Sequence, residues 1–246
     1  MKKSFSIGEI SELLGIPKST LRYWESEGLI DMPRDQSNNY RKYYPSSVYT
    51  ISDLAHYRCL QMSLQDMKKL PHLSPSELEE SLISLDQSLD NKLKELYTAK
   101  NYINKKMQCI DEYMELCKHQ YQSKEPSYNH IYSFSIEDNE AWSIYINDQY
   151  QSVLLYNIDR DTIETGLIVP TSLDHPKIWT KDDHASYVSF VLKVDYSNPT
   201  REDFLPHIEH LNSLGYRISN VFARYLFSAC DEKYYDYYKA YAEVYK

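Results

Sequence analysis

A group of cationic and hydroxyl side chains stands at the start of a short helical pattern near the amino terminus. Its members are Lys18, Ser19, Thr20, Arg22 and Tyr23. An arginine such as Arg22 can bind a guanine edge with two hydrogen bonds or contact a phosphate, whereas lysine and serine more often contact phosphates. Leu21 and Trp24 fall on the other side of the helix. The helix could therefore present its first residues to the major groove of double-stranded DNA while its other side packs in a core.

Two short helices joined by a tight turn should position this group. Ser6 and Glu9 fit a capping box that begins the first helix, and Gly15 ends it. Pro17 suits the first turn of the second helix, which should stop at Gly28. Such a pair of helices is the signature of a helix-turn-helix motif.

Residues 31–45 are polar and rich in turn-forming residues, which predicts a hairpin or wing beside the two helices. The candidate phosphate contacts in this wing are Tyr40, Arg41 and Tyr43. Arginine supplies charge, and tyrosine can bond a phosphate oxygen through its hydroxyl group. The alternative is that the arginines of the helix and the wing are solvated or form ion pairs with Glu25 or Asp35.

A second group combines a carboxylate with aromatic rings near the carboxyl terminus. Residues 237–245 predict a strand whose side chains alternate between two faces. One face carries Tyr237, Lys239, Tyr241, Glu243 and Tyr245, and the other carries Tyr238, Ala240, Ala242 and Val244. Aromatic faces and a partly buried carboxylate attract an organic cation. Glu243, flanked by Tyr241 and Tyr245, therefore predicts a binding site for a cationic ligand.

Other aromatic side chains could complete a cage around the cation. The candidates are Trp142, Tyr145, Tyr156 and Trp179. The alternative is that these rings are ordinary core residues, because tyrosine is common in strands. In that alternative Glu243 pairs with Lys239 or Arg224.

Residues 123–246 should form an α+β domain that positions this strand in a largely antiparallel sheet. The candidate strands are residues 141–147, 152–158, 164–169, 187–194, 218–227 and 237–245. One helix interrupts them, from the candidate N-cap Thr200 to Leu214, and Gly215 ends it. We therefore expect a β-α-β-β order in residues 186–245, and strands without a clear helix in residues 128–170.

Residues 74–122 predict one long helix between these two regions. Ser74 and Glu77 fit a capping box, and no Gly or Pro follows that box until Pro126. Apolar residues recur in steps of three and four through Leu78, Leu82, Leu85, Leu89, Leu96, Ala99, Ile103, Ile110, Tyr113 and Cys117. A lone helix must bury such a stripe against a partner, so we expect a long antiparallel coiled coil between two copies of the chain. The alternative is a helix of an intramolecular bundle.

The net charge of −9 is unevenly distributed along the chain. Residues 1–73 carry a small excess of Lys and Arg, whereas residues 74–122 and 123–246 are acidic. Only the first region could approach phosphates without repulsion. The chain is therefore expected to comprise a DNA-binding domain over residues 1–73, a dimerisation helix over residues 74–122 and an effector-binding domain over residues 123–246.

Other classes of protein find little support in the sequence. No apolar run is long enough to span a membrane and no signal peptide is evident, so we expect a cytoplasmic protein. The four cysteines are scattered, as is typical of reduced thiols. Cys109 and Cys117 could bind a metal, but without further ligands they are expected to pack along the helix. Nucleotide and phosphate motifs are absent, and we expect no cofactor.

The segment from Ile7 to Leu29 resembles the winged helix-turn-helix of the MerR family of regulators. In that family a helix and a glycine-containing turn are followed by T-L-R-Y-[YW]-E and then by G-L. The matching residues here are Thr20, Leu21, Arg22, Tyr23, Trp24, Glu25, Gly28 and Leu29, with Tyr40, Arg41 and Tyr43 in the wing signature Y-R-x-Y. The resemblance covers about residues 5–73. It implies a homodimer that distorts promoter DNA so that RNA polymerase can engage it.

The residues from about 131 onward are similar to the GyrI-like effector-binding domain of multidrug-responsive members of this family. That fold is a duplicated β-α-β-β unit, and each unit ends with a glutamate-containing strand. Glu164 and Glu243 occupy those places. The resemblance implies a sensor of a small molecule. The alternatives are a small-molecule hydrolase with Glu243 as general base, and a drug-sequestering protein or repressor without an activating role.

Overall fold

The computed structural model describes residues 4–135, 137–169, 175–196 and 198–245. The chain divides into two compact units, Met1–Thr98 and Ala99–Lys246, and the division falls inside a long helix. Each unit has its own hydrophobic core. The predicted dimerisation helix, residues 74–122, is thus shared between the two units. The division of the chain into three functional parts stays a prediction.

The described residues of the first unit contain four short α-helices, a 3-10 turn at Leu70–His72 and the beginning of the long helix. The α-helices are α1 (Ile7–Leu14), α2 (Lys18–Ser26), α3 (Pro45–Cys59), α4 (Leu64–Lys69) and α5 (Pro75–Lys118). The predicted capping box begins α1, since Ser6 Oγ accepts a hydrogen bond from Glu9 N and the Glu9 carboxylate accepts one from Ser6 N. Gly15, at φ 67°, ends that helix in the left-handed conformation that glycine tolerates best.

The core of the first unit is built from the inner faces of these helices. Leu21 and Trp24 of α2 are buried there, as predicted, together with Ile10 of α1 and Ile51 of α3. The segment between α2 and α3 forms isolated antiparallel bridges: Tyr43 pairs with Phe5, which precedes α1, and Arg34 pairs with Arg41. The predicted wing is therefore a short hairpin-like segment tied to the amino-terminal residues.

The second unit is built on an antiparallel sheet. Its strands are β1 (Gln122–Ser123), β2 (His130–Ser133), β3 (Ser152–Asn157), β4 (Thr162–Leu167), β5 (Lys177–Thr180), β6 (Ser186–Asp195), β7 (Arg217–Asp231) and β8 (Lys233–Tyr245). The strand order is β1-β6-β8-β7-β3-β4-β2-β5, and every named pair is antiparallel. The α+β class with a carboxyl-terminal antiparallel sheet is therefore confirmed.

The described residues of this unit also contain two short α-helices and a 3-10 turn at Gln149–Gln151, and one of the α-helices corrects the sequence prediction. Residues 141–147, expected as a strand, belong to α6 (Asn139–Asn147), and α7 spans Arg201–Ser213. Asp138 caps α6, because its carboxylate accepts hydrogen bonds from the backbone N–H groups of Glu140 and Ala141. With α6 in place, the order β-α-β-β occurs twice, as β2-α6-β3-β4 and as β6-α7-β7-β8.

The sheet has two differently used faces. One face packs against α7, and its core joins Phe204, Ile208 and Leu211 of that helix to Ala240 and Ala242 of β8. The opposite face carries an aromatic cluster that includes Trp179, Phe222 and Tyr241. The predicted alternation along β8 is confirmed, and the small side chains of β8 lie on the helix-covered face.

The long helix α5 begins near its predicted start and leaves many apolar side chains in contact with solvent. Leu93, Leu96, Ile103, Met107 and Met114 are each at least half exposed. Within the predicted stripe Leu85 packs against the core of the first unit, and Tyr113 packs against Phe227 and Tyr237. Across the described residues, no helix has the length and hydropathy that a membrane crossing requires.

Candidate functional site

The amino-terminal half of α2 presents a polar surface to solvent. Lys18, Ser19 and Arg22 are exposed, and Tyr23 is 50% exposed. Thr20 is half-buried, so less of its side chain is accessible than the sequence indicated. The amphipathic pattern thus places all five predicted contact residues at the outer side or edge of α2, opposite Leu21 and Trp24.

The wing is attached to α2 through a carboxylate. The Glu25 carboxylate accepts a hydrogen bond from Arg41 Nε, and Arg34 Nη2 lies 3.8 Å from Glu25. This contact is the ion pair considered as the alternative for Arg41. It holds the wing beside α2, so Arg41 can orient the wing even where it contacts no phosphate.

The two wing tyrosines have opposite environments. Tyr40 is 74% exposed and can reach a phosphate, whereas Tyr43 is fully buried in the core of the first unit. The prediction that Tyr43 contacts a phosphate is therefore wrong. Its backbone bridges to Phe5, which turns the ring inward, and burial raises the pKa of its hydroxyl group.

In the second unit, Glu243 is a buried carboxylate surrounded by neutral donors. It is 3% exposed. Ser219 Oγ and Asn220 Nδ2 donate hydrogen bonds to its Oε2 at 2.6 and 2.7 Å. Trp179 Nε1 and the Tyr187 hydroxyl each lie 3.3 Å from its Oε1. None of these four donors carries a positive charge, so they solvate the carboxylate without neutralising it.

Aromatic rings extend from this carboxylate across the same face of the sheet. The ring centroids of Trp179 and Phe222 are 4.3 Å apart, and Phe222 stacks on Tyr241 at 5.6 Å. Tyr187 lies edge-on to Phe222 at 6.0 Å. Two of these four rings, Trp179 and Tyr241, were predicted from the sequence, and the structure brings both to the face that carries Glu243.

Three of the predicted cage residues lie elsewhere. Tyr156 is on the helix-covered face, where its ring packs on Phe204 at 5.0 Å. Trp142 and Tyr145 belong to α6 and contact Phe134. The prediction that these three rings join the cage is therefore wrong, because α6 replaces the expected strand and β3 turns Tyr156 to the other face.

Two further predicted residues lie at the margin of the cluster. The Tyr245 hydroxyl donates a hydrogen bond to Asp182 at 2.9 Å, beside rather than against Glu243. Glu164 pairs in register with Leu155, a member of the aromatic-face core, so it shares that face and is half-buried. Glu164 is therefore a second carboxylate on the face that carries Glu243.

Lys239 and Arg224, considered as partners of Glu243, bind a different carboxylate. Both donate hydrogen bonds to Glu112 near the end of α5. The alternative of a Glu243 pair with either cation is thus wrong. No group of three or more His, Cys, Asp or Glu side chains among the described residues is arranged to hold a metal ion; Cys109 is buried and Cys117, expected on the packed seam, is exposed.

Sequence reasoning missed several groups that contact Glu243. Tyr187 is the register partner of Glu243 across β6 and β8, whereas Ser219 lies at an irregularity of β7. Strand alternation gave a signal for Tyr187 and Phe222. Strand alternation could not indicate Ser219, because the bulge changes which side chains of β7 face the carboxylate.

Comparison with known proteins adds independent information. The family model for MerR family regulatory proteins matches residues 6–43. An HTH-type transcriptional regulator of Haemophilus influenzae, named as a ZntR homolog, is 32% identical over 92 residues, which are 37% of this chain and 67% of that protein. The multidrug-efflux transporter 2 regulator of Bacillus subtilis is 30% identical over 103 residues, which are 40% of this chain and 37% of that protein. A cryo-EM structure of an EcmrR–DNA complex covers 98% of this chain and 100% of its own, at 14% identity and a TM-score of 0.38.

Proposed function

Because this chain belongs to the MerR family of transcription regulators, we propose that it binds promoter DNA as a homodimer and responds to a small aromatic cation held at Glu243. Transcription regulators of this kind are not enzymes, and the hydrolase alternative is set aside. The observation that carries the sensing role is the buried Glu243 carboxylate, whose four hydrogen-bond donors among the described residues are all neutral and include two aromatic side chains. The name of the Bacillus subtilis relative, a regulator of a multidrug-efflux transporter, supports a small-molecule effector.

The DNA-binding role rests on the exposed side of α2 and on the wing. Lys18, Ser19 and Arg22 are accessible at the start of the helix, where base edges and phosphates are usually contacted. The first region carries only a small positive charge, so counterion release gives modest affinity for each copy. Two copies on one promoter, together with the deformability of the DNA, would supply the rest.

The homodimer rests on the exposed apolar side chains of α5. Leu96 and Ile103 are 66% and 61% exposed, one heptad apart, which is the spacing of a coiled-coil seam. We expect the double variant Leu96→Asp with Ile103→Asp to sediment as a monomer and to lose operator binding. Thr98→Asp, on the opposite side of the helix, is the matched control. A dimeric double variant would contradict the proposal.

The cation preference follows from electrostatics in a partly dry site. A buried carboxylate among neutral donors attracts a cation more strongly than one in water, because the local dielectric response is weaker. The faces of Trp179, Phe222 and Tyr241 add cation–π attraction, typically about 0.5–2 kcal/mol. A neutral molecule of the same shape gains neither contribution. A cation should therefore bind with higher affinity than a neutral molecule that makes the same apolar contacts.

The test compares two carboxylates on one face of the sheet. Calorimetry measures the binding of benzyltrimethylammonium and of its neutral carbon isostere, neopentylbenzene, to wild type, Glu243→Gln and Glu164→Gln. We expect Glu243→Gln to weaken the cation at least tenfold, about 1.4 kcal/mol, and to leave the isostere unchanged. Glu164→Gln is the control, because it removes a half-buried carboxylate to which no side chain of the described residues is shown to donate. Equal losses for cation and isostere in Glu243→Gln would show that the carboxylate is structural.

The regulatory output is proposed to be activation through promoter distortion and RNA polymerase. Run-off transcription with purified polymerase, with and without the cation, measures its sign and size. Gel-shift titration without ligand should give the same operator affinity for wild type and Glu243→Gln, because the variant changes only the second unit. If the protein is a repressor, it should lower the amount of transcript that the polymerase makes. This result would contradict activation and indicate repression.

A further inference from the structure

The aromatic face beside Glu243 is already covered by a ring of the chain itself. Tyr128 lies edge-on to Trp179, Phe222 and Tyr241, with centroid distances of 6.2, 6.0 and 6.4 Å. Trp179 also donates to Glu243, so one indole ring touches both the Tyr128 ring and the carboxylate. Tyr128 therefore contacts the same three rings to which the cation–π attraction of the effector is assigned in the proposed function.

The hydroxyl group of Tyr128 is poorly accommodated in this position. It is buried and has no hydrogen-bond partner among the described residues. A hydroxyl that gives up water without gaining a partner destabilises the folded state, and phenylalanine would fill the same space without that cost. Burial also raises the pKa of Tyr128 well above its ordinary value. Packing alone therefore does not explain why position 128 carries tyrosine instead of phenylalanine. A role in which the ring leaves the site and its hydroxyl group returns to water would explain it.

The segment that carries Tyr128 is irregular and is held at its ends. Residues 124–129 lie between β1 and β2 and form neither helix nor strand. Lys124 N donates to Tyr187 O at 2.9 Å, and Lys181 N donates to Asn129 O at 2.8 Å. Lys181 Nζ also lies 2.7 Å from a carboxylate oxygen of Glu125, whose side chain is largely exposed. Tyr128 thus lies in a loop outside the strands of the sheet.

We propose that Tyr128 is an internal competitor for the effector, which binds by displacing this ring from the aromatic face. This inference rests on the proposed sensing role of Glu243. A ligand ring replaces the contacts of the Tyr128 ring, the ligand cation gains the carboxylate, and the Tyr128 hydroxyl regains water. A neutral aromatic molecule gains no charge interaction, and an aliphatic cation cannot replace the ring. The effector must therefore carry a positive charge directly beside a ring of about the size of phenol.

The displacement also offers a route for the signal. The loop that carries Tyr128 continues, through β1, from the end of α5, the helix proposed to form the dimer. When the ring leaves the aromatic face, the loop between α5 and β2 changes conformation. Effector binding would thus alter the attachment of α5 to the sheet.

The experiment measures calorimetric affinity on the full chain with three probes: benzyltrimethylammonium, tetramethylammonium, which has no ring, and neopentylbenzene, which has no charge. We expect Tyr128→Ala to bind benzyltrimethylammonium at least tenfold more tightly than wild type, because no internal ring has to be displaced. Tyr128→Phe should bind it several-fold more weakly, because its ring stays without burying a hydroxyl. Tyr156→Ala removes a buried tyrosine on the other face and should leave the affinity unchanged.

The outcomes separate this inference from the proposed function. An unchanged or weaker affinity in folded Tyr128→Ala, with the Glu243 dependence intact, overturns the displacement alone. If Tyr128→Ala does not fold, Tyr128→Phe decides, and an unchanged or tighter affinity overturns the displacement. Absence of binding to wild type and to Tyr128→Ala, or equal binding to Glu243→Gln and wild type, overturns the cation site itself. Hydrogen exchange in residues 124–129 should rise when benzyltrimethylammonium binds, which a purely structural tyrosine would not produce.

Discussion

Glu112 of α5 neutralises two cations on the face of the sheet that also carries Tyr241. Its carboxylate accepts hydrogen bonds from Arg224 and Lys239, whose side chains are 19% and 7% exposed. The Glu112 side chain is 31% exposed. Replacing Glu112 with Gln therefore leaves two neighbouring cations that are largely removed from water and have lost their shared carboxylate.

The size of the effect follows from this burial. Removal of one partner from a buried ion pair costs about 3–5 kcal/mol. Because Glu112 keeps part of its contact with water, the lower end applies, about 3 kcal/mol. In a unit of this size each kcal/mol lowers the Tm by about 2–4 °C, so Glu112→Gln should lower it by about 6–12 °C.

Thermal unfolding, followed by circular dichroism and tryptophan fluorescence, measures this difference. The control is Glu115→Gln on the same helix, which removes an exposed pair with Lys118 and should change the Tm little. A Tm loss in Glu112→Gln no larger than in Glu115→Gln would refute the reasoning.

The effect should also depend on pH. Burial raises the pKa of the Glu112 carboxyl, but the hydrogen bond from Lys239 and the charges of Arg224 and Lys239 outweigh burial, so the pKa lies below its usual value. A depressed folded pKa gives stability that is present above the unfolded pKa, about 4.3, and is lost as the pH falls through the folded value. The gap between wild type and Glu112→Gln should therefore be full at neutral pH and shrink in acid. A gap that persists unchanged would show that packing, not charge, causes it.

Three further predictions concern single residues. Arg22→Ala should weaken specific operator binding by about 1–3 kcal/mol in gel-shift titrations, more than it weakens binding to random DNA, and an equal loss for both would make Arg22 a phosphate contact. Tyr43→Phe should leave the urea midpoint of the first unit unchanged or raise it, because the buried hydroxyl has no partner among the described residues. Burial lowers the pKa of His207 to about 4, so the stability it contributes, full above its unfolded pKa of about 6.5, should fall as the pH drops towards 4. His207→Gln should flatten that part of the urea-midpoint profile.

Local signals determined the first unit well. The capping box at Ser6, the left-handed Gly15 and the alternation of buried and exposed positions along α2 all depend on neighbours within a few residues. The same holds for β8, whose two faces follow from strand alternation alone. Tyr43 departs from this rule because its backbone bridge to Phe5, far away in the chain, turns the ring into the core.

The region between β2 and β3 shows where local patterns become ambiguous. Residues 141–147 fit a strand by alternation, yet they form part of α6. A segment this short contains too few turns for periodicity to separate a helix from a strand. The Asp138 cap was the available signal, and it depends on one side chain reaching the first free N–H groups of the helix.

The sequence by itself determined which residues share a face of α2 and of β8, where the periodicity is clear. Only the tertiary structure decided which faces meet: it placed Trp179 and Tyr187 on Glu243, moved Tyr156 to the other side of the sheet and gave Lys239 to Glu112. The physical reason is that helix and strand periodicity arise from backbone geometry within a few residues. Contacts such as the one between Lys239 and Glu112, which are 127 residues apart, depend on strand order, register and a bulge that no local pattern encodes.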